Sequence, residues 1–94
     1  MDFVFPCMSE IPKRFVYVLR TLSMPERHYV GLTSDVPTRL AWHNAGLSPH
    51  TAQYRPWRLV VAIEFQDQAT AIAFERYLKS GSGRAFAKKH FAPS

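Results

Sequence analysis

The chain has 94 residues, enough for one domain with a single modest core, and its 47% hydrophobic and 20% charged residues exclude a disordered tail. Twelve Lys and Arg against seven Asp and Glu leave a formal net charge of +5 and a pI near 9.8, which points to a polyanionic partner. A lone cysteine, Cys7, excludes an internal disulfide and leaves no Cys pair for a zinc site, and no run reaches the roughly 18 apolar residues of a membrane span. The start, MDFVFPCMSEIPKR, has no basic stretch ahead of an apolar one, so a cytoplasmic protein without membrane contact is expected.

Residues 1–14 carry Pro6 and Pro12 around a mixed apolar stretch, which predicts an N-terminal arm ahead of a domain spanning 15–94. Phe15 to Arg20 is β-branched and aromatic. Its alternation places Phe15, Tyr17 and Leu19 on one face and Val16 and Val18 on the other, and two apolar faces predict a central strand. Thr21 to Arg27, with Ser23 and Pro25, reads as a hairpin loop into a second strand, His28 to Leu32. Gly31 in that strand lets backbone or substrate come close.

Ser34 or Asp35 caps a helix that tolerates Pro37 in its first turn and stops at Gly46. Val36 and Leu40 point to its core side, while Arg39 and His43, at i and i+4, share another stripe. Leu47 to Pro56 is a polar loop holding His50, Thr51, Tyr54 and Arg55, of a length that is often functional. Trp57 to Phe65 is the third strand. Asp67 then caps a second helix reaching about Lys79, with Ala71, Phe74, Tyr77 and Leu78 on its buried side and Glu75 and Lys79 on an adjoining stripe. Gly81-Ser82-Gly83 breaks it, and Arg84 to Phe91 returns as a short basic amphipathic helix. The order β-β-α-β-α-α predicts a small α+β sandwich in which helices flank a three-stranded mixed or antiparallel sheet.

Tyr17, then Tyr29-Val30-Gly31 twelve positions on, then Arg39 eight after Gly31, with Glu75 on the following helix, form a joint pattern. Phe15-Val16-Tyr17 and Tyr29-Val30-Gly31, followed by Arg39-Leu40 and His43-Asn44, resemble the two halves of the GIY-YIG nuclease signature, compact stand-alone type. The resemblance covers Phe15 to Phe91 and implies a divalent-metal-dependent endonuclease leaving a 5′-phosphate and a 3′-hydroxyl, in DNA repair, processing or recombination. It assigns Glu75 to Mg²⁺ or Mn²⁺, a hard oxygen ligand for a hard cation, and Arg39 to the scissile phosphate. Tyr17 or Tyr29 would orient or deprotonate the attacking water with help from the metal or His43. These five residues are expected to line one concave surface.

Two departures accompany the resemblance. Phe15 stands where the family name has its first Gly, and no Asn follows Asn44, where many family nucleases use one near the domain's end; Arg84 or Ser82 occupies that neighbourhood. Arg55, Lys79, Arg84, Lys88 and Lys89 place positive charge in the second half, and a basic rim beside Tyr54 and Trp57 suits a backbone with a base stacked on it. The expected substrate is DNA, single-stranded or structured, with RNA not excluded. A non-catalytic nucleic-acid-binding module on the same fold is the alternative. Taken one at a time, the same residues are strand aromatics, a solvated arginine and a surface Glu75–Lys79 pair.

Overall fold

The computed structural model describes residues 11–23 and 26–91. The order is β1 (Phe15–Thr21), β2 (His28–Thr33), α1 (Val36–Asn44), a 3₁₀ turn (Ala52–Tyr54), β3 (Trp57–Glu64), α2 (Gln68–Leu78) and α3 (Gly81–Phe91). The sheet is wholly antiparallel with β1 in the centre, in the order β2-β1-β3. Most of the arm assigned to residues 1–14 lies outside the described residues, as do Met24 and Pro25 of the hairpin loop. Arg14 is docked: its carbonyl accepts from Phe65 N at 2.8 Å and its guanidinium reaches Glu64 at 2.9 Å.

The alternation in β1 divides the core into two layers. Val16 and Val18 pack with Ala71 and Leu78 of α2, and Phe86 and Phe91 of α3 close the same layer. Tyr17 and Leu19 point to the opposite face, where Val36 of α1 and Trp57 join them, with Tyr29 and Leu40 at the margin. All the helical mass of α2 and α3 is therefore on one side of β1, and Tyr17 and Tyr29 are on the other.

Local chemistry sets the helix ends. Asp35, not Ser34, caps α1, its Oδ1 accepting from Thr38 N at 3.1 Å. At the other end Gly46 adopts φ 78°, its N–H donates to His43 O at 3.1 Å and Leu47 N donates to Trp42 O at 3.4 Å, the paired bonds of a Schellman turn. Asp67 caps α2 through Thr70 N at 2.7 Å, and that bond holds its carboxyl below the usual range.

Two expectations about α2 and α3 are corrected. The glycines do end α2, but α3 begins at Gly81 itself, because Ser80 caps it, its Oγ accepting from Gly83 N at 3.1 Å and its carbonyl from Arg84 N at 2.9 Å. Gly83 packs on the end of α2, where a Cβ would run into the Tyr77 carbonyl and come within 2.6 Å of Leu78 Cα. Tyr77 is 39% exposed and not part of the buried side. The inner line of α2 runs through Ala71 and Leu78, and Tyr77 sits beyond it with its ring edged against Phe86 at 5.9 Å.

Candidate active site

Cross-strand register builds the site. Tyr17 lies opposite Gly31, and Leu19 lies opposite Tyr29. Directly opposed residues in an antiparallel pair share a face, so the ring of Tyr17 lies over the empty position of Gly31; a Cβ there would stand 2.7 Å from Tyr17 Cε1 and closer still to the hydroxyl end. Gly31 thus lets the phenol extend over the edge strand. Tyr29, two residues earlier, stands beside it with ring centroids 6.1 Å apart.

His43 enters from the last turn of α1. It is fully buried, and its Nε2 is 2.9 Å from the Tyr17 hydroxyl while its Nδ1 is 2.8 Å from Thr51 Oγ1. Tyr29 meets the imidazole edge-on at 4.9 Å and Trp42 does so at 5.0 Å. A histidine with both ring nitrogens engaged and two aromatic neighbours is held in one orientation. His43 accordingly belongs to the core, while its helical neighbour Arg39 remains half-buried with its guanidinium 4.4 Å over the Trp42 ring.

The electrostatics favour two neutral groups. Burial is the main cause that pushes the Tyr17 phenol above its ordinary value; the neighbouring Tyr29 adds to it, the Arg39 guanidinium opposes it, and the Glu75 carboxylate raises it further. Burial and then Arg39 push His43 below the usual imidazole value. At neutral pH the pair is therefore phenol and imidazole.

Glu75 approaches from the other layer. It lies four residues after Ala71 and three before Leu78, on the sheet-facing stripe of α2, and its side chain is 18% exposed. Its carboxylate accepts from Lys79 Nζ at 3.1 Å. Since α2 packs on β1 and the edge strand β2, the Glu75 charge is felt at the Tyr17 phenol although Glu75 makes no hydrogen bond to Tyr17, Tyr29, Arg39 or His43 among the described residues. The five residues thus fall into a contacting aromatic–imidazole group with Arg39 beside it, and a carboxylate linked to that group by its field.

The basic residues do not form one rim. Lys79, Arg84 and Lys88 line a hollow of about 750 Å³ on the α3 side, together with Arg20 and the apolar Val18, Val30 and Leu78. Lys89 is exposed outside that lining, and Arg55 is elsewhere, donating from Nε to Ala52 O at 2.7 Å beside Gly46. The stacking surface expected at Trp57 is absent: that side chain is 5% exposed, and its Nε1 donates to Thr51 O at 2.9 Å. Trp57 serves the core because it opens β3, where its backbone is clamped by Asn44 through bonds of 2.6 and 3.0 Å.

A family model described as the GIY-YIG catalytic domain matches residues 13–90. The chain belongs to the GIY-YIG family. Similar proteins are the structure-specific endonuclease subunits SLX1 of Scheffersomyces stipitis, 35% identical over 74% of this chain, and of Candida dubliniensis, 33% identical over 79%. That of Malassezia globosa is 41% identical over 68%. The chain spans between 16% and 29% of the length of these relatives. No solved structure matches.

In this GIY-YIG domain the signature residues have distinct structural reasons. The glycine of Tyr29-Val30-Gly31 makes room for Tyr17, and Asn44, next to His43, ties α1 to β3. Thr51 is the site residue whose partner the sequence did not disclose. Its loop between two prolines was visible, but its bond to His43 depends on the path of that loop.

Proposed function

We propose that this domain is a divalent-metal-dependent endonuclease acting on DNA in repair or recombination, and the observation that carries the reading is the buried Tyr17–His43 hydrogen bond at 2.9 Å inside the family signature. The names of the SLX1 relatives support a nuclease that recognises nucleic-acid structure. Structured DNA, including junctions with single-stranded portions, is the proposed substrate, with RNA as an arm of the test. Lys79, Arg84, Lys88, Lys89 and Arg55 are proposed backbone contacts.

The donor set fits Mg²⁺ or Mn²⁺. No group of three His, Cys, Asp or Glu side chains converges among the described residues, whereas Mg²⁺ is commonly held by one or two carboxylates with water and substrate phosphate. Glu75 is such a carboxylate, partly open to solvent and already paired with a cation, Lys79, that a metal would replace. A bound divalent ion supplies charge withdrawal from the phosphate oxygens.

Arg39 binds the scissile phosphate through its guanidinium fork. Tyr17 is the proton carrier. Because its phenol resists ionisation, it does not wait as a phenolate: as its oxygen takes a proton from the attacking water, its own proton passes to Nε2 of His43. The water oxygen forms its bond to phosphorus, the P–O3′ bond breaks, and the 3′-oxygen takes a proton from solvent. A 5′-phosphate and a 3′-hydroxyl result, and the proton on His43 Nε2 later returns to the Tyr17 oxygen as that hydroxyl releases a proton to water. Tyr29, less buried and edge-on to His43, orients the water.

The test is single-turnover incubation of labelled single-stranded, duplex and branched DNA and RNA with Mg²⁺, Mn²⁺ or chelator. Fragments are expected only with metal. Glu75→Gln keeps the size and removes the charge, so cleavage should fall, higher Mn²⁺ should partly restore it, and binding without metal should hold or tighten as an anion near the phosphate is lost. Cleavage in chelator, or a parental rate in Glu75→Gln, would contradict the metal assignment; binding without any cleavage would leave the non-catalytic module.

A further inference from the structure

Thr51 is a polar residue in a connecting loop, yet it is 2% exposed. Loops normally run over the surface, so a loop side chain driven into the core needs a partner that repays its desolvation. Four bonds hold this one. Its N–H donates to Ser48 O at 3.2 Å, its carbonyl accepts from Trp57 Nε1 at 2.9 Å and from Tyr54 N at 3.1 Å, and its hydroxyl meets His43 Nδ1 at 2.8 Å. Trp57 is in turn fixed to the end of α1 through Asn44, so the helix that carries His43 and the loop that carries Thr51 are clamped to the same strand start.

We propose that Thr51 is a positioning residue that fixes His43 in the tautomer bearing its hydrogen on Nδ1, leaving the Nε2 lone pair aimed at the Tyr17 hydroxyl. This rests on the proton-carrying role given to Tyr17 and His43 above. A phenol is a stronger acid than the N–H of a neutral imidazole, and an imidazole lone pair is a stronger base than a phenol oxygen. In a neutral pair the phenol therefore donates to Nε2, and the hydrogen must reside on Nδ1. That N–H is buried and needs an acceptor, which Thr51 Oγ1 provides.

The opposite tautomer would aim an N–H at the Tyr17 oxygen, and His43 would have nowhere to receive a proton. A hydroxyl suits the task better than a carboxylate would. It accepts from Nδ1–H in the neutral ring and continues to accept when the ring becomes imidazolium, but adds no fixed charge that would keep His43 protonated beforehand. The groups facing the imidazole are Tyr17, Tyr29, Arg39, Trp42 and Thr51, and among the described residues no carboxylate bonds to either ring nitrogen.

The experiment reads the tautomer and the reaction separately. Side-chain ¹⁵N shifts of His43 are recorded on the free labelled protein and on Thr51→Val and Thr51→Ser, and each protein is assayed for kcat and KM on a cleaved DNA. Parental protein and Thr51→Ser should show the Nδ1–H tautomer. Thr51→Val should shift toward Nε2–H, with kcat lower by about tenfold or more, as expected for losing a proton acceptor, and KM little changed. Thr51→Ser should recover most of that loss. An Nε2–H tautomer in the parental protein overturns the proposal without recourse to any variant, as does an unshifted tautomer in Thr51→Val. If the tautomers behave as expected but the parental protein cleaves nothing, the nuclease reading fails while the positioning of His43 by Thr51 stands.

Discussion

Tyr17→Phe is expected to lower the single-turnover cleavage rate by about 100-fold or more, the range associated with loss of a positioned proton-transfer group. The ring would stay over Gly31, since only the hydroxyl is removed, and the strand pairing that holds it is unaffected. His43 Nε2 would lose its partner in a buried site, which costs about 1–3 kcal/mol of stability and leaves the domain folded if its stability is ordinary. Circular dichroism and urea unfolding separate that loss from the loss of rate.

The pH dependence carries a sign. His43 accepts a proton only while neutral, and its folded value lies below the ordinary 6.5 because burial and Arg39 disfavour the imidazolium. The parental rate should therefore be sustained down through pH 6.5 and fall at lower pH. Stability follows the same direction, since the unfolded chain binds this proton at a higher pH than the native protein, so folding weakens as pH falls through 6.5. A bound phosphate offsets the Arg39 charge, and the inflection in the substrate complex should lie higher than in the free protein.

Arg39→Ala is expected to cut cleavage by at least tenfold, with weaker DNA binding and no rescue by added metal. A charge-assisted contact to the phosphate is worth about 1.5–3 kcal/mol, and it is made in both the bound and the reacting state. The residue is half-buried and stacked on Trp42, so the substitution should cost little stability. Arg39→Lys keeps the charge but neither the fork nor the stack, and should fall between the two. His43 should also titrate nearer its ordinary value in Arg39→Ala, because one of the two causes of its depression is gone. Filter binding, single-turnover cleavage across a metal titration and an NMR titration of His43 check the three statements.

The division of β1 into two faces was legible because its alternation is local, and so was a helix cap at Ser34 or Asp35, though not which of the two. The need for Gly31 was legible as a need for space, but not what fills the space. That answer lies in register: Gly31 falls opposite Tyr17, whereas Tyr29 falls opposite Leu19, and the two tyrosines look alike until the strands are paired. Tyr77 and Trp57 were misplaced for related reasons. Helical periodicity put Tyr77 on a stripe that the glycine-tight approach of α3 leaves at the margin, and a tryptophan beside a loop reads as exposed until its N–H finds Thr51. The His43–Thr51 bond joins a helix end to a loop, and no residue period predicts it.

The central claim is that Tyr17 and His43 move a proton as one unit, and a double-mutant cycle on the cleavage step tests it most directly. Tyr17→Phe, His43→Gln and the double variant are measured under single-turnover conditions with saturating Mg²⁺ or Mn²⁺. If the pair acts as a unit, each single change removes most of the rate and the double variant is little slower than either, as groups sharing one task are strongly non-additive. Losses that multiply in the double variant, or a parental rate in either single variant, would contradict it.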